Sequence, residues 1–226
     1  MIGNRRSIQF GSAVRRLGFG AACCLWLVTS PALAHPHVWV TIKEELIYAP
    51  DGALVSVRHA WTFDDMFSAY ATQGLSAKAK GRFTREELQS IAQLNVESLK
   101  EDGYYTYTWI DGQKQTVAFG DPTDYWFDYN PDTAELTLHM TLPLKAPLMA
   151  KQLVVEVYDP VFFVDFGLAG DSPVTLITAP RQCSASTTRP GGSPAFVPGF
   201  NQLFTTSEAN IGMGMQYASK IAVQCP

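Results

Sequence analysis

The chain has 226 residues, 46% hydrophobic, 17% charged and 12% aromatic, with a formal charge of -4. That balance excludes intrinsic disorder, which requires few aromatics and a high net charge. The length points to one domain with room for an appendage, and the longest apolar stretch is too short and too near the N-terminus for a stable membrane span.

Residues 1–34 read as a secretory signal. Arg5, Arg6, Arg15 and Arg16 supply the positive start, residues 17–28 the apolar centre, and Ala32-Leu33-Ala34 the small residues at a cleavage site. Cleavage after Ala34 leaves 192 residues and removes four arginines but no acid, so the charge becomes -8. Such acidity disfavours nucleic acid as a partner and favours cations. Only Cys183 and Cys225 remain after cleavage, and two cysteines in an oxidising compartment form a disulfide, here closing a loop of about 42 residues.

The body that follows, residues 35–180, reads mainly as strands. Val38, Val40 and Ile42 alternate with His37, Trp39 and Thr41, and Asp51-Gly52 separates this run from a second alternating segment at 54–63, which predicts a hairpin. Asp111-Gly112 repeats the pattern between 104–110 and 114–119. Further strands are expected at 125–129, 135–142, 153–158 and 174–178. Successive hairpins predict an α+β, mainly β fold, an antiparallel sheet or sandwich.

A helical insertion at about 66–100 interrupts the strands. Residues 67–75 and 85–99 read as helices, the second with Leu88, Ile91, Leu94 and Val96 or Leu99 on one stripe and Thr84/Glu87 as a capping box. The interval between them is EF-hand-like, with Gly81 at the sharp turn and Glu87 at the last position. Lys78 and Lys80 occupy two ligand positions, and ammonium groups do not ligate a hard cation, so no calcium is expected. Residues 181–226 form a tail tied back by the cysteines. Its segment 184–198 reads as a mobile loop and 207–223 as a helix or short strand.

No phosphate loop, Gly-x-Ser-x-Gly or zinc-protease motif is present. Histidine is scarce: His35, His37, His59 and His139. Cleavage would make His35 the new N-terminus, so its α-amine and imidazole become available to one metal ion, with His37 as a further donor. Pro36 has no amide N–H, which excludes coordination through deprotonated backbone amides. What remains is amine and imidazole ligation of Ni, Co, Zn or Cu. His59 and His139 lie in strands, where a satisfied core histidine is the commoner outcome. Asp64 offers a supporting carboxylate, while Asp159-Pro160 and Asp165 read first as structural.

The combination His35-Pro36-His37-Val38-Trp39-Val40, Trp61-Thr62-Phe63-Asp64-Asp65-Met66-Phe67-Ser68, Leu136-Thr137-Leu138-His139 and Tyr158-Asp159-Pro160-Val161-Phe162-Phe163-Val164 resembles an uncharacterised bacterial periplasmic family. Its members often carry the label of a periplasmic component of an ABC-type transport system, and their genes lie beside nickel/cobalt-type permeases. The resemblance implies a periplasmic location and a role in divalent metal traffic with a membrane permease as partner. The short, hairpin-rich chain fits an accessory binding protein better than a two-lobed solute-binding protein. The expectation is a non-enzymatic metal binder using His35, His37, His139 or His59, and Asp64. A structural or interaction module is the alternative, and a copper-dependent oxidative enzyme with an N-terminal His ligand a third reading.

Overall fold

A computed structural model describes residues 37–111, 113–114, 117–170, 172–188 and 214–225, and the chain from His35 onward forms one compact unit. The expected signal, His35 and the segment 189–213 lie outside the described residues.

The hairpin about Asp51-Gly52 joins β1 (Val38–Tyr48) to β2 (Leu54–Phe63). Gly52 adopts φ +89, a left-handed conformation open to a residue without Cβ. Alternation decides the faces. Val38, Val40, Ile42, Glu44, Leu46 and Tyr48 of β1 point inward, together with Val57, His59, Trp61 and Phe63 of β2.

These strands lie in a six-stranded sheet. It also contains β5 (Thr123–Asn130), β6 (Glu135–Leu148), β8 (Val164–Leu168) and β9 (Val174–Ile177), in the order β5-β6-β2-β1-β8 with β9 also pairing β1. A second sheet runs β10 (Ser184–Thr188), β11 (Ser219–Gln224), β7 (Gln152–Val157), β3 (Thr106–Ile110) and β4 (Gln113–Lys114). Ile42, Leu46, Trp61 and Leu138 of the first sheet share one apolar core with Leu153, Val155, Ile221 and Val223 of the second. The fold is therefore α+β and mainly β, as the hairpin pattern predicts.

Helices α1 (Asp65–Ala71) and α2 (Arg85–Leu99) form the insertion. The capping box is present, with Glu87 N–H donating to Thr84 Oγ1 and the Glu87 carboxylate accepting from Thr84 N. The other Glu87 oxygen accepts from Lys78 N, so the acid at the end of the EF-hand-like interval holds backbone. The buried stripe of α2 is Leu88, Ala92 and Val96; Leu94, predicted inward, is 66% exposed because four-residue spacing selects the face.

Several expectations need correcting. β1 pairs in parallel with both β8 and β9, which hairpin signals do not reveal because they report only chain neighbours. The strand expected from Tyr104 begins at Thr106, because Gly103, Tyr104 and Tyr105 all adopt positive φ. The strand expected at 114–119 is reduced to the two-residue β4, and Phe119 bridges Leu144 instead. Ser184–Thr188 is a strand whose five exposed residues give no alternation to read. β11 lies inside the second sheet between β10 and β7, and the predicted Cys183–Cys225 disulfide is formed beside it.

Candidate functional site

The period-two geometry of strands separates the histidines. His59 points into the core and is wholly buried, whereas His139, paired across β6 with Ala60 of β2, lies on the outer face. The two cannot share an ion. His59 Nδ1 and Glu44 Oε2, both buried, lie 2.5 Å apart and have no other polar partner among the described residues, and Glu44 Oε1 accepts from Trp61 Nε1 at 3.2 Å. On its other side, His59 Nε2 is 3.5 Å from Thr106 Oγ1, whose hydroxyl donates to Tyr104 O at 2.8 Å. Thr106 has one proton and gives it to that carbonyl, so His59 Nε2–H is the donor to Thr106. Direct contact with each other is how two such polar groups persist in a sandwich core.

His139 is equally committed. Its ring stacks on Trp126 with centroids 4.7 Å apart, and its Nε2 lies 3.2 Å from Asp128 Oδ2. Arg85 grips Asp128 with two bonds, at 2.8 and 3.1 Å, and lies over the Trp126 ring. Burial lowers the His139 pKa, against the opposing pull of Asp128. The Asp128 pKa stays low because hydrogen bonds from Arg85 and Trp126 outweigh a burial effect of opposite sign. This cluster ties the start of α2 to β5 and β6.

Asp64 caps α1, with Oδ1 accepting from Phe67 N at 2.8 Å and Oδ2 accepting from Trp39 N at 2.7 Å. The β1–β2 register sets Glu44, not His37, opposite His59. His37 is seven residues further along β1, roughly 20 Å away at strand rise. Among the described residues, His59 and His139 therefore stand away from His37, and the Asp64 oxygens accept from Phe67 and Trp39 N–H groups. Among the described residues, no three His, Cys, Asp or Glu side chains form a ready metal cage.

The start of β1 has its own chemistry. Asp159 is buried and organises the preceding corner: its carboxylate accepts from Val161, Phe163 and Val164 N–H groups at 2.8–3.0 Å. The corner is closed by Gly214, where a Cβ would meet Asp159 O at 1.7 Å. This turn launches β8 in parallel register with β1, Val38 opposite Val164 and Trp39 opposite Asp165. The outward residues His37, Trp39, Phe163 and Asp165 thus share one face. His37 N donates to Phe163 O at 2.9 Å and the two rings lie 4.7 Å apart. Trp39 and Phe163 remain 47% and 45% exposed.

Asp165, which the sequence reads first as structural, is the further acid on this face. It is half-buried, its pKa is raised by that burial, and it has no hydrogen bond or ion pair among the described residues. A desolvated carboxylate on the face that carries the exposed His37 imidazole is stabilised by a proton or a cation. The signal available for it was the outward alternation of Phe163 and Asp165 against inward Phe166 and Leu168.

Together these features define a small, disulfide-linked β-sandwich protein with a helical insertion and a His/Asp-bearing strand start. Over residues 20–225 the chain matches the family described as "Protein of unknown function (DUF1007)", and it belongs to that family. No curated protein matches it.

Proposed function

We propose that the protein is an exported, non-enzymatic accessory protein that binds one divalent transition metal ion at the start of β1 and serves a membrane metal permease. The ion is cargo. Its ligands are the α-amine and imidazole of His35, the imidazole of His37 and the carboxylate of Asp165. The observation that carries this reading is Asp165, half-buried and unpaired on the same face as His37. Amine, imidazole and carboxylate donors suit Zn, Ni, Co or Cu. A half-open site at a strand end favours exchange, unlike the closed four-ligand cages of structural zinc. The exposed Trp39, Phe163 and Val161 beside it provide an apolar rim for a docking partner.

The test is calorimetric titration of the chain beginning at His35 with zinc, nickel, cobalt and copper salts. Stoichiometric binding is expected. Asp165→Asn, and separately one extra residue ahead of His35, should each weaken it about tenfold or more, at about 1.4 kcal/mol per tenfold. His139→Ala should leave it unchanged. Binding indifferent to both of the first two changes contradicts the reading. The exposed Trp39–Phe163 rim also favours a second reading, a protein-interaction module with incidental histidines, which predicts no stoichiometric binding at all.

A further inference from the structure

Three costly features converge on one place that the metal reading does not use. A cavity of about 760 Å³ lies where the end of α2, the turn before β3 and the end of β6 meet, lined by Lys100, Tyr104, Thr106, Tyr107, Phe119 and Lys145 among others. The first cost is backbone strain at its wall. Gly103, Tyr104 and Tyr105 follow one another with φ of 60, 58 and 49, and two consecutive tyrosines in the left-handed region are rare outside ligand sites. The second is the buried Glu44–His59 pair, which contacts Thr106, itself part of the lining. The third is charge. On a protein with a net charge of -4, Lys100 and Lys145 flank a single acid, Asp121, which Lys100 contacts at 2.6 Å. The cavity mouth is therefore cationic against an acidic background.

Nothing in the fold requires the three to coincide, and desolvated charge, strain and concavity coincide at ligand sites. The volume lies within the range of small-molecule sites. Its lining combines Tyr104, Tyr107, Val117 and Phe119 with the charged Lys100, Asp121 and Lys145. Burial pushes the Tyr107 hydroxyl up to about 12, with smaller additions from Tyr158 and nearby acids, so that hydroxyl stays protonated as a donor.

We propose that this cavity binds a small organic carboxylate, its anion drawn to Lys145 beside the Lys100–Asp121 ion pair and its apolar body against Tyr107 and Phe119. The site is separate from the start of β1 and stands or falls independently of metal binding.

The test uses benzoate as the probe, followed by NMR on the folded chain, with cyclohexylammonium as a control of similar size and opposite charge at matched ionic strength. Benzoate should shift the Val117 and Thr106 methyl resonances saturably, and cyclohexylammonium should not. The double variant Lys100→Met/Lys145→Met changes two exposed side chains and should weaken benzoate about tenfold or more while leaving the spectrum folded. Absence of a saturable shift, an equal response to cyclohexylammonium, or unchanged affinity in the double variant overturns the proposal.

Discussion

Removing both members of the Glu44–His59 pair should damage the fold by less than the sum of removing each alone. Glu44→Ala strands His59 Nδ1 and the Trp61 indole N–H, both buried and both in contact with Glu44. His59→Ala strands a Glu44 oxygen, opens a void in the core and frees Thr106 of its contact. Breaking a buried pair on one side costs about 3–5 kcal/mol. With a urea m-value of about 2 kcal/mol/M, each single variant should lower the unfolding midpoint by roughly 1.5–2.5 M. The double variant leaves no orphaned charge, so its loss should fall short of the sum by about 1–3 kcal/mol. Urea unfolding of the four proteins of this cycle measures the coupling directly. Additive losses, or a single variant within about 0.5 kcal/mol of the parent, would refute the coupled-pair account.

Two further outcomes follow from the same structure. Replacing Cys183 and Cys225 together by Ala should cost about 4 kcal/mol, the loop-entropy value for a bridge spanning 42 residues, and denaturant unfolding with and without reductant checks it. Asp165 has its pKa raised by burial, so its carboxyl favours folding below its unfolded value near pH 4 and that contribution is lost as pH rises through the folded pKa. Ionised Asp165 therefore burdens the metal-free protein at about pH 7, and Asp165→Asn should stabilise it there, with the advantage fading toward about pH 4. Paired urea midpoints in the presence of chelator decide this, and a destabilising Asn at neutral pH would contradict the unpaired-carboxylate reading.

Much of the fold follows from local pattern. Glu44 and His59 stand equidistant from the Asp51-Gly52 turn and both continue inward alternations, so the hairpin alone sets them face to face. The Thr84/Glu87 capping box and the Asp159-Pro160 turn are legible because a side chain bonds backbone a few residues away. The candidate site is less legible because it depends on long-range pairing. Asp165 reaches Trp39 only through the parallel β1–β8 register, and no turn residue encodes that register. In sequence His59, His139 and Asp64 all remain available as partners for His37. Strand parity sends His59 inward and His139 outward, and the α1 cap occupies Asp64. The left-handed Tyr104-Tyr105 turn also escapes, since bulky residues give no local signal for positive φ.

The central claim is that one transition metal ion binds between His37 and Asp165, and an anomalous-difference map tests it most directly. Crystals of the chain beginning at His35, grown with nickel or zinc, should show one strong peak within about 2.0–2.2 Å of a His37 ring nitrogen and an Asp165 carboxylate oxygen. A peak at His139–Asp128 instead, or none at the start of β1, would contradict it.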